Sequence, residues 1–97
     1  MPFAQCATRS FTAISVQNNA PPSSGVYGLS NAREWLFIGE GNNIRAHLLE
    51  HLREMGTALR IQNPTGFTFE LCSPGERITR QDRLVRELEP RFNRRMG

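Results

Sequence analysis

The sequence predicts an α+β fold, because short strands and helices follow one another without the regular strand–helix alternation of a parallel sheet. Two short β-like runs, residues 25–29 and 35–38, are separated by the polar segment SNARE, which is typical of an antiparallel hairpin. A helical pattern comes next, then an alternating run that indicates a third strand, and then a second helical pattern. The predicted order is strand, strand, helix, strand, helix.

The first predicted helix begins after two asparagines, Asn42 and Asn43, which are good N-cap residues. Its apolar residues recur at four- and three-residue spacing, as on one face of an amphipathic helix; they are Ile44, Leu48, Leu52 and Met55. We expect Gly56 to end this helix. The connector TALRIQNPTG that follows, residues 57–66, has no predicted form.

The C-terminal part of the chain contains the third strand and the second helix. In FTFELC, from Phe67, apolar and polar residues alternate as in a half-buried strand. A helix is predicted from near Glu76 to Leu88, and Pro90 favours an end at Glu89. Its predicted apolar face consists of Ile78, Val85 and Leu88.

The N-terminal part is predicted to contain at most one short strand. RSFTAISV, residues 9–16, is rich in β-forming residues, and QNNAPPSSG, residues 17–25, has the composition of a linker or turn. We therefore divide the chain into an N-terminal strand and linker, residues 1–24, and a domain, residues 25–97.

All 12 cationic residues of this 97-residue chain are arginines. Seven of them, with four acidic residues, lie from Glu76 to Gly97, so the net positive charge of the chain is concentrated there. Arginine suits phosphate, and a basic segment attracts nucleic acid. A bias towards arginine codons, or a solvated helix face with mixed charges, would give the same pattern.

No apolar run approaches the ~20 residues that span a bilayer, and the first ten residues, MPFAQCATRS, lack the features of a secretory signal. The expectation is a cytoplasmic protein with no membrane contact. Cys6 and Cys72 have neither metal-site spacing nor the density of a disulfide framework, so we expect free thiols, with Cys72 in the core.

Two short motifs match known site patterns only in part. HLLEH, from His47 to His51, matches a helical zinc-protease pattern, but no distant histidine remains to complete the metal site. GEGNN, residues 39–43, could hold an anion at a helix start, but it lacks the residues of a nucleotide-binding loop. A tight strand-to-helix turn explains it.

The glycine and aromatic motifs, taken together, resemble those of a known family. GVY at residues 25–27 and FIG at 37–39 resemble the two motifs of the GIY-YIG nuclease superfamily, and His51 and EPRFN at 89–93 stand at matching spacings. The resemblance covers residues 25–93, and the order and spacing of the motifs carry it. Gly25, Gly39 and Asn93 match structural positions of the family.

The resemblance implies a small three-stranded antiparallel sheet flanked by helices, with a possible extra N-terminal strand. It also implies DNA phosphodiester hydrolysis with one divalent cation, Mg²⁺ or Mn²⁺. In the family a tyrosine, matched here by Tyr27, helps to activate water, an arginine holds the phosphate, and a glutamate binds the metal. A cation lowers the pKa of bound water and offsets charge on phosphoryl oxygens.

Three of the matched positions depart from the family pattern. Phe37 replaces a tyrosine, His47 stands at the phosphate-binding arginine, and Gln81, twelve residues before Asn93, stands at the metal-binding glutamate. An amide gives a metal one neutral oxygen, so Gln81 is a weak metal candidate. A shift of one residue in the second helix would instead place Asp82 at the glutamate position.

These departures leave three functional hypotheses. The first is a domain with a degenerate catalytic site, formed by Tyr27, Phe37, His47, His51 and Gln81, that binds nucleic acid. DNA is favoured over RNA, and Arg45, Arg80 and Arg83 are the candidate contacts. The second is a working metal-dependent DNA endonuclease with a variant site. The third is a protein-interaction module. A domain this small is also expected to act as a homodimer or beside a larger partner.

Overall fold

The computed structural model describes residues 8–93, in which four strands and four helices form one α+β unit. The strands are β1 (Arg9–Ser10), β2 (Gly25–Ser30), β3 (Trp35–Gly41) and β4 (Gly66–Leu71). The helices are α1 (Ala13–Asn19), α2 (Ile44–Arg53), α3 (Thr57–Ile61) and α4 (Arg77–Leu88). Cys6 lies outside the described residues.

The sheet is antiparallel, with the strand order β1-β4-β2-β3. The predicted hairpin is confirmed: β2 pairs with β3, and Tyr27 lies opposite Gly39. The predicted third strand is β4, which pairs with the other side of β2. The extra N-terminal strand is also present, as β1 at the edge next to β4, so β3 forms the opposite edge.

Helices cover both faces of the sheet. On one face α1 and α2 enclose the larger core cluster; its buried members are Phe11, Val16, Ala20, Tyr27, Leu29, Ile44, Leu48 and Phe67. On the other face α4 covers Val26 and Ile38 with Leu84. Successive residues of a strand point to opposite faces, so Val26 and Tyr27 belong to different clusters.

The prediction for the N-terminal part is wrong in its length and type of structure. Only Arg9 and Ser10 of the predicted strand pair in the sheet, and residues 13–19 form α1. Thr12 starts this helix as an N-cap, because its hydroxyl accepts a hydrogen bond from the Ser15 amide at 3.2 Å. The domain boundary at residues 24 and 25 stays a prediction, although Val16 packs in the same core as the sheet.

Two details of the predicted helices also need correction. The first helix, α2, ends at Arg53, and Gly56 is instead the N-cap of the short helix α3 in the connector. In α4 the fully buried residue is Leu84, whereas Ile78 is 65% exposed. Ile78 lies at the margin of the face that α4 turns to the sheet, since Leu84 and Leu88 define the centre of that face.

Cys72 is a free, half-buried thiol that packs against the smaller cluster, as predicted, and burial raises its pKa. Within residues 8–93 the helices are too short and too polar for any of them to traverse a lipid bilayer.

Candidate functional site

The floor of the candidate site is the paired hairpin, where two glycines make room for side chains from above. A Cβ atom on Gly39 would overlap the ring of Tyr27, and a Cβ atom on Gly41 would overlap the imidazole of His47. Gly39 and Gly41 point to the same face of β3, the face that α2 covers. Glycine at these positions therefore lets both rings lie against the strand backbone.

Helix α2 brings two histidines to this floor. His47 and His51 are one turn apart, so they project from the same side of the helix. The Tyr27 hydroxyl lies 2.8 Å from Nε2 of His51. Phe37 completes the cluster, with its ring centroid 5.2 Å from that of His51 and 6.2 Å from that of Tyr27. Four of the predicted site residues thus lie together.

Burial determines the protonation of this pair. It raises the pKa of Tyr27 well above its ordinary value, and the nearby carboxylates of Glu40 and Glu50 raise that pKa further. Burial, and then the neighbouring His47, lower the pKa of His51, against a smaller opposing effect of Glu50. At neutral pH the phenol is therefore protonated and the imidazole neutral. In the Nδ1-protonated tautomer of His51, the Tyr27 hydroxyl donates to Nε2.

A cleft of about 240 Å³ opens beside the histidines and is lined by His47, Glu50, His51 and Glu54. The carboxylates of Glu50 and Glu54 make its lining acidic at neutral pH. A phosphate at this place would meet Glu50 and Glu54, which oppose its charge. The cleft therefore lacks the permanent positive charge that an arginine at position 47 would provide.

Gln81 reaches the site from the other face of the sheet. Its side-chain amide donates to the Ile38 carbonyl at 3.0 Å. The Asn93 amide donates to the same carbonyl at 2.9 Å, and the Ile38 amide donates to Oδ1 of Asn93 at 2.5 Å. Gln81 and Asn93 are therefore neighbours at the residue before Gly39. This placement favours the register that puts Gln81, rather than Asp82, at the matched position.

A second ionisable pair, Arg77 and Glu40, lies beside Gln81. Nε of Arg77 is 3.1 Å from a carboxylate oxygen of Glu40, and Nη1 donates to the Ser24 hydroxyl at 3.4 Å. The Nε group is buried and makes no hydrogen bond within the described part of the chain, so its contact with Glu40 is an ion pair only. Sequence reasoning missed this pair. The available signal was position, since Glu40 follows Gly39 and Arg77 precedes Gln81 by one helical turn.

The three arginines predicted to contact nucleic acid differ in what else they bind. Nε of Arg45 donates to the Ala20 carbonyl at 2.8 Å, which ties α2 to the end of α1. Arg80 forms a two-point ion pair with Glu70, at 2.7 and 2.9 Å. Arg83 is exposed on α4, next to a cleft that Arg80 also lines. Their contacts with nucleic acid stay a prediction.

The start of α2 is a tight turn without free amides, as GEGNN suggested. The amides of Ile44 and Arg45 donate to the carbonyls of Ser23 and Pro21. The Ala46 amide donates to the side chain of Asn43, and the His47 amide to its carbonyl. All four amides are occupied, so this helix start is not an anion site.

The residues do not fit a divalent cation bound as the family resemblance implies. The resemblance implies one carboxylate at the metal, and the residue at the matching position is the amide Gln81. Gln81 offers a neutral carbonyl oxygen, and the Glu40 carboxylate is paired with Arg77. Hard cations such as Mg²⁺ prefer carboxylate oxygens, which this donor set does not present together.

The ring cluster consists of Tyr27, Phe37, His47 and His51. Together with the hairpin and the covering helices, it has the arrangement of the GIY-YIG fold. The described structure superimposes on the GIY-YIG N-terminal endonuclease domain of UvrC from Thermotoga maritima bound to magnesium, with a TM-score of 0.67 and 20% identity. The match covers 81% of this chain and 96% of that domain. A point mutant of the same domain gives a TM-score of 0.68 at 21% identity.

Sequence comparison leads to the same family. The chain is 36% identical over 81 residues to the UvrABC system protein C of Nitrobacter winogradskyi, and 33% identical over 84 residues to the excinuclease Cho of Escherichia coli K12. The chain belongs to the GIY-YIG family of endonuclease domains, together with the matching domains of UvrC and Cho.

The alignments cover 77% and 81% of this chain, but only 12% of the length of that UvrC and 28% of that of Cho. The chain therefore corresponds to one part of each larger protein. No family model matches the chain.

Proposed function

We propose that this protein is a GIY-YIG domain that binds nucleic acid and hydrolyses phosphodiesters weakly or not at all. The observation that carries the proposal is Gln81, which stands where the resemblance puts the metal-binding glutamate and donates its amide to the Ile38 carbonyl. His47, at the place of the phosphate-binding arginine, supports the same proposal. One missing charged group could be tolerated, but the loss of two removes the metal ligand and the phosphate clamp together.

DNA is the favoured nucleic acid. Two relatives are named as an excinuclease and as protein C of the UvrABC system, and the superimposed structures are endonuclease domains. The exposed Arg83 on α4 offers a phosphate contact outside the acidic cleft. We propose that the cleft beside His47 and His51 contributes little to binding.

Fluorescence anisotropy with labelled flap DNA, and with an RNA of the same sequence, tests the binding. We expect DNA to bind with an affinity that falls steeply as salt rises, because each arginine–phosphate contact releases counterions. The Arg83→Ala variant should reduce the slope of log K against log salt by about 1. No binding to either probe at low salt would leave the protein-interaction module as the function.

A metal-dependent endonuclease with a variant site is the second candidate, and the Tyr27–His51 hydrogen bond favours it. A neutral imidazole 2.8 Å from the phenol could accept its proton as the phenol activates water. Such an enzyme would need Mg²⁺ or Mn²⁺, as in the UvrC domain bound to magnesium. Cleavage that requires Tyr27, measured with the Tyr27→Phe variant, would support this candidate.

A homodimer, or a larger partner protein, is also proposed, because a domain of this size contacts few base pairs. Size-exclusion chromatography with light scattering, with and without flap DNA, measures whether the chain pairs. A protein mass equal to one chain, both alone and within the DNA complex, would contradict the homodimer.

A further inference from the structure

The guanidinium of Arg77 lies near Gln81, so a side chain of the protein supplies a positive charge there. Arg77 and Gln81 are four residues apart on α4, so their side chains leave the helix on the same side with Cβ atoms about 5–6 Å apart. Opposite them on β3 are Glu40 and Ile38, two residues apart and therefore on one face of the strand. Arg77 contacts Glu40, and Gln81 contacts Ile38.

The positive charge of Arg77 lies at the same end of β3 as the ring cluster. Glu40 is close enough to Tyr27 to raise its pKa, although the two side chains are on opposite faces of the sheet. His47 lies against Gly41, the residue after Glu40. Arg77 and His47 therefore flank the same end of edge strand β3, one from each face.

The guanidinium has hydrogen-bonding capacity that the protein does not use. Its buried Nε group lies 3.1 Å from the Glu40 carboxylate without a hydrogen bond to it, and Nη1 makes only a long hydrogen bond with Ser24, at 3.4 Å. Within residues 8–93 no hydrogen bond from Nη2 is seen. The side chain remains 20% exposed, so an anion can approach it from solvent. Because Nε is buried, a phosphate oxygen would accept from Nη2, and phosphate is a favoured partner of a guanidinium.

We infer that Arg77 takes the place of the divalent cation in this domain and contacts a backbone phosphate of bound nucleic acid without metal. The inference rests on the proposed nucleic-acid binding and adds to it the residue and the independence from metal. Arg77 also opposes metal binding, because its ion pair already occupies the Glu40 carboxylate that a cation beside Gln81 would need.

The binding test uses labelled flap DNA at matched ionic strength, in EDTA and in MgCl₂. We expect binding in EDTA, and binding in MgCl₂ that is no tighter, because Mg²⁺ competes with arginine for the phosphates. Arg77→Ala should weaken binding and reduce the slope of log K against log salt by about 1. Arg33→Ala is the matched control: it removes the same charge from the turn at the other end of the hairpin, about 20 Å along β3. It should leave the slope unchanged. Tighter binding in MgCl₂, or equal effects of the two variants, would overturn the inference.

A second measurement separates this inference from the proposed function. Electron paramagnetic resonance of Mn²⁺ counts bound metal without any nucleic acid. We expect no Mn²⁺ binding by the natural sequence, and a gain of binding when Arg77→Ala is combined with Gln81→Glu. If the natural protein binds no DNA but the double variant gains Mn²⁺, the proposed function and the phosphate contact fail, whereas the occupation of the cation's place by Arg77 stands. If the natural protein binds Mn²⁺, or the folded double variant gains none, that occupation is overturned.

Discussion

Tyr27 and His51 show how burial sets the chemistry of single residues at this site. Each group is held in its neutral form, since the pKa of Tyr27 is raised and the pKa of His51 is lowered. Their hydrogen bond depends on that neutrality, because a protonated imidazole has no lone pair to accept the phenol proton. The sequence predicted Tyr27 and His51 as site residues, but only the structure shows the hydrogen bond between them.

Stability should depend on pH through His51. The pKa of His51 in the folded protein lies below the ordinary value of 6.5, so the unfolded chain binds more protons between the two values. The stability contributed by neutral His51 is therefore complete above about pH 6.5 and is lost as pH falls through the folded pKa. Urea unfolding at about pH 7.5 and about pH 5 measures this loss, which should be smaller in His51→Gln. An equal loss in the variant would contradict the assignment to His51.

Gly39 should be intolerant of any side chain. A Cβ atom there would overlap the Tyr27 ring, so Gly39→Ala should lower the free energy of unfolding by about 1–3 kcal/mol. Gly56→Ala is the matched control, since a Cβ atom at Gly56 meets nothing within 4 Å, and it should change that energy by less than about 0.5 kcal/mol. Equal changes in urea unfolding would show that the ring does not need the space.

Edge strand β3 is the element on which the site depends, and the C-terminal residues cover its open side. The amide of Phe92 donates to the Leu36 carbonyl at 2.8 Å, and Asn93 bonds both backbone groups of Ile38. An uncovered edge would leave these groups unpaired and open to other strands. Asn93 thus makes the hydrogen bonds that a neighbouring strand would make. This role accounts for an asparagine at the last of the matched motif positions.

Removal of the Asn93 side chain should loosen this edge. Asn93→Ala leaves the Ile38 amide without its acceptor, at an expected cost of about 1–3 kcal/mol in unfolding free energy. Hydrogen exchange followed by NMR should show faster exchange of the Ile38 amide. Asn42→Ala, at an exposed position outside the strand, is the control. Unchanged protection of the Ile38 amide in Asn93→Ala would contradict this role.

Local sequence patterns predicted the hairpin, α2, β4 and α4. The strands have alternating or short apolar runs next to turn residues, and the helices have helical periodicity and recognisable ends. They failed for residues 9–16, where β-forming residues suggested a strand but Thr12 caps a helix. They also failed for Ile78, whose exposure depends on how α4 is rotated against the sheet. The pairing of Arg77 with Glu40 joins residues far apart in the sequence, and no periodicity reports such a contact.

The whole molecule has the fold of the GIY-YIG endonuclease domains, and its candidate site residues lie on both faces of the sheet. The ring cluster lies on one face of the sheet, whereas Gln81, Asn93 and Arg77 meet the edge strand from the other. Acidic residues line the cleft beside the histidines. The resemblance to the family therefore identified the fold directly, whereas the activity depends on which charged groups converge.

The claim that this domain hydrolyses DNA weakly or not at all is tested by its nicking of supercoiled plasmid and of flap DNA in Mg²⁺ or Mn²⁺. With neither a carboxylate at position 81 nor an arginine at position 47, the protein should nick these substrates no faster than the metal-free control. DNase I under the same conditions verifies that the substrates can be cleaved. Metal-dependent nicking by the natural protein that disappears in Tyr27→Phe would contradict the claim and show a working endonuclease.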